Sequence, residues 1–163
     1  MTQNRTKQQQ GFTLVELLIV VIILGILAAV VIPQFNSAAA ESREAAAASN
    51  LATIRQAIEM YKVQHNDTLP GQGESNSTNF LAQLTTATNA DGSTSGGTQP
   101  YGPYLRNSFP TSPVDNSAAV TVTAGAISAP ATSAVGWAYN SVTGEFRLNT
   151  DDTAASGVTY FSL

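Results

Sequence analysis

A single apolar stretch near the N-terminus constrains this chain more than any other feature. Residues 12–32 form a run of 21, in which only Thr13 and Glu16 have clearly polar side chains. As an α-helix this run would be about 31 Å long, which is enough to cross a hydrocarbon core of ~30 Å. The preceding residues are polar, and their only charges are those of Arg5 and Lys7. A basic flank before an apolar span predicts one membrane-spanning helix with a cytoplasmic N-terminus.

Two ordinary explanations of this stretch leave something unexplained. A cleaved secretory signal needs an apolar run of about 7–15 residues and then small residues at a cleavage site. The alanines at 38–40 would supply that site, but the apolar run is longer and the helical pattern continues past them. A plain signal anchor fits the length and the basic flank, but it gives no reason for Glu16.

Glu16 favours a third interpretation. A carboxylate inside an apolar span costs on the order of 2.5–3.5 kcal/mol on insertion scales, so it is a functional candidate that needs a partner. Cleavage between Gly11 and Phe12 would create an α-amino group one helical turn from Glu16. That amine could neutralise the carboxylate of its own chain or of a neighbouring chain, since an unpaired charge in a low-dielectric site is costly.

The residues around this junction carry a family resemblance. Residues 11–16 (GFTLVE) followed by an apolar run resemble the prepilin signature of type IV pilins and type II secretion pseudopilins. The resemblance implies cleavage after Gly11 by an inner-membrane prepilin peptidase and N-methylation of Phe12. It also implies that Glu16 pairs with the N-terminal amine of an adjacent subunit during filament assembly.

Gly25 and Pro33 lie in or next to the same apolar stretch. Pro33 lacks a backbone donor and tends to kink a helix, which membrane helices tolerate where other groups satisfy the backbone. A harmless kink near the membrane exit is one interpretation. The resemblance implies another, in which the segment between these two residues loses helical order in the filament.

The helix is predicted to continue beyond the membrane. The alanine-rich residues 36–65 contain no glycine or proline, and alanine is the best helix former. An apolar stripe of Leu51, Ile54, Ile58 and Tyr61 marks one face of an amphipathic helix. The whole helix would run from about residue 12 to 65, on the order of 80 Å.

The remaining residues, 66–163, predict a small head. A loop region is expected over 66–118, with one short helix at 79–84. An antiparallel sheet is expected over 119–163, with its clearest hairpin around the turn at 141–144. Because the head has few large apolar side chains, we expect it to need the helical stripe to complete its core.

Within the predicted sheet, Trp137 is expected to be a core residue. Residues 158–163 are expected to form a closing strand. The predicted fold class is α+β, a pilin-like arrangement in which the long N-terminal helix, membrane-spanning in its first half, packs against a small antiparallel β-sheet head. The predicted segments are a cleaved leader, a transmembrane or filament-core segment, an amphipathic continuation and the head, at residues 1–11, 12–35, 36–65 and 66–163.

Composition excludes several kinds of site. The sequence has no cysteine and one histidine, so disulfides, thiol nucleophiles, zinc–thiolate sites and histidine-rich metal sites are impossible within one chain. A net charge of −4 argues against a nucleic-acid partner. No catalytic constellation is evident, so we expect no enzyme activity and no organic cofactor.

Calcium is the one metal for which the sequence offers candidate ligands. Segments 61–63, 102–105 and 136–139 also resemble the major pseudopilins of type II secretion, which often hold calcium in a C-terminal loop. Asp151 and Asp152 lie in such a loop, and Asp115 lies in another. Calcium prefers several oxygen ligands, and solvated turn residues are the alternative interpretation of these aspartates.

These observations predict a structural filament subunit. A type II secretion major pseudopilin is favoured by the head segments and the missing cysteines. A type IV pilus subunit for adhesion, motility or DNA uptake is the alternative, and a signal-anchored periplasmic enzyme or binding module is a third. The resemblance implies as partners further copies of the chain, the prepilin peptidase, an inner-membrane platform protein, an assembly ATPase and minor pseudopilins. The expected location is the bacterial inner membrane, with the head in the periplasm, and then a periplasmic or surface filament.

Overall fold

A computed structural model describes residues 11–106, 108–130 and 136–163, without the side chain of Pro33. Most of the predicted leader, residues 1–10, therefore lies outside the described residues. Within the described residues, the elements are two α-helices, three strands and a short 3-10 helix: α1 (Leu14–Gln64), α2 (Ser77–Thr85), β1 (Val120–Thr123), β2 (Trp137–Asn140), β3 (Phe146–Leu148) and the 3-10 helix (Tyr160–Ser162). The chain divides into two compact units, Met1–Ala39 and Ala40–Leu163.

Helix α1 agrees with the predicted helix to within two residues at each end. It begins after Thr13 and ends at Gln64, where Asn66 and Asp67 take left-handed backbone angles, with φ of 52° and 63°. Asn and Asp adopt this conformation more readily than most residues. The N–H of Asp67 donates to the carbonyl of Lys62 at 3.0 Å, so the turn satisfies one of the last carbonyls of the helix.

The core of the unit Ala40–Leu163 uses the predicted stripe. Leu51, Ile54, Ile58 and Tyr61 are all at most 1% exposed. They pack in one cluster with side chains of α2, β2 and β3: Phe80, Leu84, Trp137, Tyr139, Phe146 and Leu148. The prediction that the helix completes the core of the head is therefore confirmed. Removing the stripe would expose the aromatic side of that cluster to water.

Aromatic rings form the centre of this core. Phe80 lies 4.2 Å from Tyr139 between ring centroids, and Trp137 lies 5.4 Å from Phe146. Trp137 is fully buried, and its indole N–H donates to the carbonyl of Pro110 at 2.9 Å. The prediction that Trp137 is a core residue is confirmed, because its ring is enclosed and its one polar atom has a partner.

The sheet is mixed, with the strand order β1-β2-β3. Strands β2 and β3 pair in the predicted antiparallel hairpin, with Trp137 opposite Leu148 and Tyr139 opposite Phe146. Strand β1 instead pairs in parallel with β2, with Val120 opposite Trp137. The predicted α+β class is therefore confirmed, but the prediction of an antiparallel sheet is wrong for β1.

The length of the connection between the two strands permits the parallel pair. A parallel pair needs a crossover of a dozen or more residues, and residues 124–136 are long enough to supply it. The alternating sequence Val-Thr-Val-Thr of β1 places the same side chains inward whichever way the strand runs. The sequence pattern therefore predicts the strand but not its direction.

The predicted closing strand at 158–163 is also wrong. Its place is taken by a 3-10 helix at Tyr160–Ser162, preceded by an isolated bridge between Thr153 and Thr159. Two guanidinium groups hold the carbonyls of this segment. Arg147 donates to the carbonyl of Phe161 at 3.0 Å, and Arg55 donates to that of Leu163 at 3.0 Å. Side-chain donors replace the ladder of hydrogen bonds that a strand would need.

Candidate functional site

The start of α1 is closed by a reciprocal pair of side chains, Thr13 and Glu16. The hydroxyl of Thr13 accepts from the N–H of Glu16 at 3.2 Å. One carboxylate oxygen of Glu16 accepts from both the N–H and the hydroxyl of Thr13, at 2.8 and 2.7 Å. The carbonyl of Thr13 accepts the first helical bond, from Leu17, at 3.2 Å. This arrangement is a capping box, which satisfies two of the free donors at a helix N-terminus.

Sequence reasoning missed this role of Thr13, although the signal was present. A Thr followed three residues later by a Glu, just before an apolar run, is the pattern of a capping box. The carboxylate of Glu16 also lies at the positive end of the helix dipole, where a negative charge is favoured. Within the single chain, therefore, Glu16 already has a partner on its own helix.

The position of Thr13 brings the carboxylate close to the predicted cleavage junction. The backbone nitrogen that donates to Glu16 belongs to Thr13, the residue directly after Phe12. An α-amino group created at Phe12 would lie one peptide unit from that nitrogen. Pairing of such an amine with the carboxylate of Glu16 stays a prediction.

Gly11 and Phe12 are accessible. Phe12 is 84% exposed, and Gly11 is exposed as well. A Cβ atom added at Gly11 would meet nothing within 4 Å. The packing of the described residues therefore does not require a glycine at position 11.

The first unit presents a continuous apolar surface. Every described residue from 11 to 32 is exposed, including the large aliphatic side chains of the first five turns of α1. Soluble monomers rarely expose apolar patches larger than a few hundred Å². By length and composition α1 can cross a membrane, and none of its most apolar window is buried. This surface needs lipid or protein to cover it.

Gly25 lies within this apolar surface, and α1 continues through it and through residue 33. A Cβ atom added at Gly25 would also meet nothing within 4 Å. A glycine inside a helix costs about 0.5–1 kcal/mol relative to alanine, and here no contact in the described chain accounts for it. The expected loss of helical order between Gly25 and Pro33 concerns the filament, and it stays a prediction.

Comparison with known proteins identifies the same region. Residues 6–32 match a family model described as the prokaryotic N-terminal methylation motif. The chain carries an N-terminal methylation motif. This motif is the signature of type IV pilins and pseudopilins, and it confirms the resemblance recognised in residues 11–16. It supports a pilin-like or pseudopilin subunit, and together with the apolar helix it fits a membrane-anchored protein.

The family model matches only the motif, and the head lies outside the matched residues. No curated protein and no solved structure matches the chain. The methylation motif is found in structural, pilin-type proteins rather than in enzymes.

The calcium candidates are not brought together by the fold. Both carboxylate oxygens of Asp115 accept backbone N–H groups, from Ser117 and from Gly136. One oxygen of Asp152 accepts from the hydroxyl of Thr150 at 3.0 Å, and Asp151 is exposed. Among the residues that the structure describes, no group of three or more His, Asp or Glu side chains could hold a metal ion. Calcium binding stays a prediction.

Proposed function

We propose that this chain is the structural subunit of a type IV-pilus-like filament, and specifically the major pseudopilin of a type II secretion system. The observation that carries the proposal is the coincidence of two features at one place. The methylation motif at residues 6–32 coincides with a helix whose apolar side chains are exposed on all sides. A membrane anchor needs only the second feature, whereas a filament subunit needs both.

The first proposed step is processing of the precursor at the membrane. A prepilin peptidase cuts after Gly11 and methylates the new amine of Phe12. The exposure of both residues supports access by a peptidase. Because the chain itself does not need a glycine at position 11, the requirement for a small residue there is assigned to the peptidase.

The second proposed step is transfer of the helix from lipid to a bundle of identical helices. Lipid tails are as apolar as leucine side chains, so apolar burial alone gives little reason to leave the membrane. A charge pair between the amine at Phe12 and Glu16 of a neighbouring copy supplies an attraction that depends on register. In a low-dielectric surrounding such a pair is favoured over two separate charges.

Assembly requires partners beyond the chain itself. A platform protein and an assembly ATPase in the inner membrane supply the work, and minor pseudopilins start the filament. The head then lies in the periplasm on a single-pass anchor. The basic residues Arg5 and Lys7 support a cytoplasmic N-terminus.

The preference for a secretion pseudopilin rests on the head. The sequence contains no cysteine, so the disulfide that closes the C-terminal region of many type IV pilins is impossible. Instead, Arg55 and Arg147 hold the last residues of the described head by hydrogen bonds to carbonyl oxygens. Deletion of the gene distinguishes the two functions, since loss of secreted proteins supports a pseudopilin and loss of surface pili with intact secretion contradicts it.

Processing is tested by replacing Gly11 with leucine and measuring the N-terminus by mass spectrometry. The wild-type chain is expected to begin at a methylated Phe12, and the Gly11→Leu variant is expected to keep its leader. Gly25→Ala is the matched control, because a Cβ meets open space at both glycines, and it should be processed normally. An intact leader on the wild-type protein would contradict the proposal.

Calcium binding is a separate proposal with its own test. Asp151 and Asp152 are proposed to contribute oxygen ligands in the C-terminal loop. Calcium should then raise the unfolding temperature of the detergent-solubilised chain, and the double variant Asp151→Ala, Asp152→Ala should abolish the rise. Glu74→Ala, in a different loop, is the control. The absence of both a thermal shift and heat in a calorimetric titration would refute the site.

A further inference from the structure

His65 lies in a closed aromatic cluster at the end of α1. It is the only histidine in the sequence, and it is 2% exposed. Its ring stacks on Tyr61, with 3.8 Å between centroids and 7° between planes. The rings of Tyr101 and Tyr104 meet it edge-on, at 5.3 and 6.2 Å. A solvated histidine at a helix end would not have these contacts.

The first ring nitrogen of His65 closes the end of the helix. Nδ1 lies 2.8 Å from the carbonyl oxygen of Tyr61. That carbonyl is among the last four of α1, which lack the usual N–H partner; the backbone N–H of His65 itself donates to Lys62. Because a carbonyl oxygen has no hydrogen to give, Nδ1 must carry the hydrogen of this bond.

The second ring nitrogen also faces a carbonyl oxygen. Nε2 lies 3.0 Å from the carbonyl oxygen of Asn89 and 3.1 Å from the hydroxyl oxygen of Thr88. A bare Nε2 would direct its lone pair at the oxygen of Asn89, and the two would repel. A hydrogen on Nε2 turns the same contact into a hydrogen bond. Only an imidazolium ring has a hydrogen on both nitrogens.

Burial disfavours a charge on the ring, and three features of the surroundings oppose that cost. The C-terminus of a helix carries partial negative charge, which stabilises a cation in the last turn. The face of an aromatic ring such as Tyr61 also attracts a cation. The nearby loop contributes Asp91: hydrogen bonds from the N–H and hydroxyl of Ser93 lower the pKa of Asp91, and a charge on His65 lowers it further.

The other titratable groups around the ring do not compete for the proton. Burial raises the pKa of Tyr61 to about 12 and also raises the pKa of Tyr104. Tyr101 is the third phenol in the cluster. Lys62 and Asp67 are the charged neighbours in sequence, and in the described part of the chain neither forms an ion pair with His65.

We propose that His65 is an imidazolium with a hydrogen on each ring nitrogen, and that this cation clamps the loop after Thr88 to the end of α1. The clamp joins the carbonyl of Tyr61 on the helix to the carbonyl of Asn89 in the loop. The side chain of Asn89 in turn holds the rest of that loop. Its Nδ2 atom donates to Ser93 Oγ and to the carbonyl of Gly96, at 2.9 Å in both cases. The protonation of one ring therefore controls the order of the segment 89–99.

The clamp depends on pH, because only the protonated ring of His65 donates both hydrogen bonds. The clamp stabilises the loop while the ring is protonated. As pH rises and Nε2 loses its hydrogen, the bond to Asn89 is replaced by a repulsion. Histidine is the side chain that changes charge between about pH 5 and 8. The loop is therefore held while the ring of His65 is protonated and released once the ring is neutral. This conclusion does not depend on the proposed filament.

The protonation state can be measured directly by NMR. The full chain is labelled with ¹⁵N-histidine in detergent micelles, and long-range ¹H–¹⁵N spectra report whether each ring nitrogen carries a hydrogen. With one histidine in the sequence the assignment is unambiguous. At the acidic end of the range both nitrogens should give the shifts of protonated nitrogen. An unprotonated Nε2 across the whole range would overturn the proposal.

The effect on the loop is measured by amide hydrogen exchange, corrected for the intrinsic pH dependence of exchange. The N–H groups of Asn89 and Gly92 should lose protection by about tenfold or more from pH 5.5 to 8, since a hydrogen bond to a charged group is stronger than a neutral one. His65→Gln should abolish this change.

Thr88→Val distinguishes the imidazolium from a neutral ring that accepts from Thr88. This variant removes the hydroxyl and keeps the carbonyl of Asn89, so the pH dependence should persist. If Thr88→Val abolishes it, or if His65→Gln retains it, the clamp is refuted.

Discussion

At the scale of single residues, Glu16 is the side chain with the most specific chemistry. In the single chain its carboxylate accepts two hydrogen bonds from Thr13. In the proposed filament the same carboxylate pairs with the amine of a neighbouring Phe12. In this proposal, the hydrogen bonds of the capping box stabilise the carboxylate of Glu16 until the amine is available. They also hold the carboxylate at the N-terminal end of the helix, where the neighbouring copy would bind.

Glu16→Gln tests this role without changing the shape of the side chain. The variant retains an acceptor for the cap and loses the charge. We expect it to enter the membrane and to be processed at Gly11, but to form few or no filaments, measured by shearing and electron microscopy. Glu41→Gln changes an exposed glutamate further along the same helix and should assemble normally. Normal filaments from the Glu16 variant would contradict the charge-pair role.

At the scale of elements, α1 has two different surfaces. Its residues in the first unit are exposed on all sides, whereas in the second unit one stripe is buried in the core. The stripe packs on aromatic side chains from α2, β2 and β3. The helix is thus an exposed apolar surface in one unit and one wall of the core in the other.

Ile58→Ala measures the contribution of the stripe. Ile58 is 1% exposed in the core, and truncation of a buried isoleucine costs about 2–5 kcal/mol of unfolding free energy. The unfolding of the detergent-solubilised chain in urea can be followed by the fluorescence of Trp137, the one tryptophan in the sequence. Met60→Ala is the matched control, since Met60 is 51% exposed on the same helix. Equal losses for both variants would contradict the assignment of the core face.

At the scale of the whole molecule, the two compact units need different surroundings. The buried core contains residues from Ala47 to Tyr160, so all of it lies in the unit Ala40–Leu163. The described side chains of the other unit are almost all exposed and largely apolar. The unit Ala40–Leu163 therefore buries its own apolar core. The apolar side chains of the other unit need lipid or further copies of the chain to cover them.

A fragment of residues 40–163 tests this division. We expect it to be a soluble monomer with a single cooperative unfolding transition, measured by circular dichroism and size-exclusion chromatography. The processed chain, beginning at Phe12, is the comparison and should require detergent. A fragment 66–163, which lacks the buried stripe, should fail to fold. Cooperative folding of that shorter fragment would show that the stripe is not part of the core.

The sequence by itself determined the features that depend on neighbours along the chain. A run of apolar residues, one acid and a glycine–phenylalanine junction predicted the motif of residues 6–32 that the family model matches. Helical spacing predicted α1 and its buried face, and a turn between alternating residues predicted the hairpin of β2 and β3. The capping box of Thr13 and Glu16 also depends only on local sequence. Its pattern is present in the sequence, although the sequence analysis did not predict it.

Only the tertiary structure decided the features that depend on residues far apart in sequence. The alternating pattern of β1 is the same in a parallel and an antiparallel pair, so the pattern leaves the direction open, and the fold pairs β1 in parallel with β2. The last residues form a 3-10 helix, and Arg55 and Arg147, distant in sequence, donate hydrogen bonds to their carbonyl oxygens. The fold surrounds the ring of His65 with carbonyl oxygens and tyrosines. The charge of a histidine is set by the groups packed around it, and those groups become neighbours only when the chain folds.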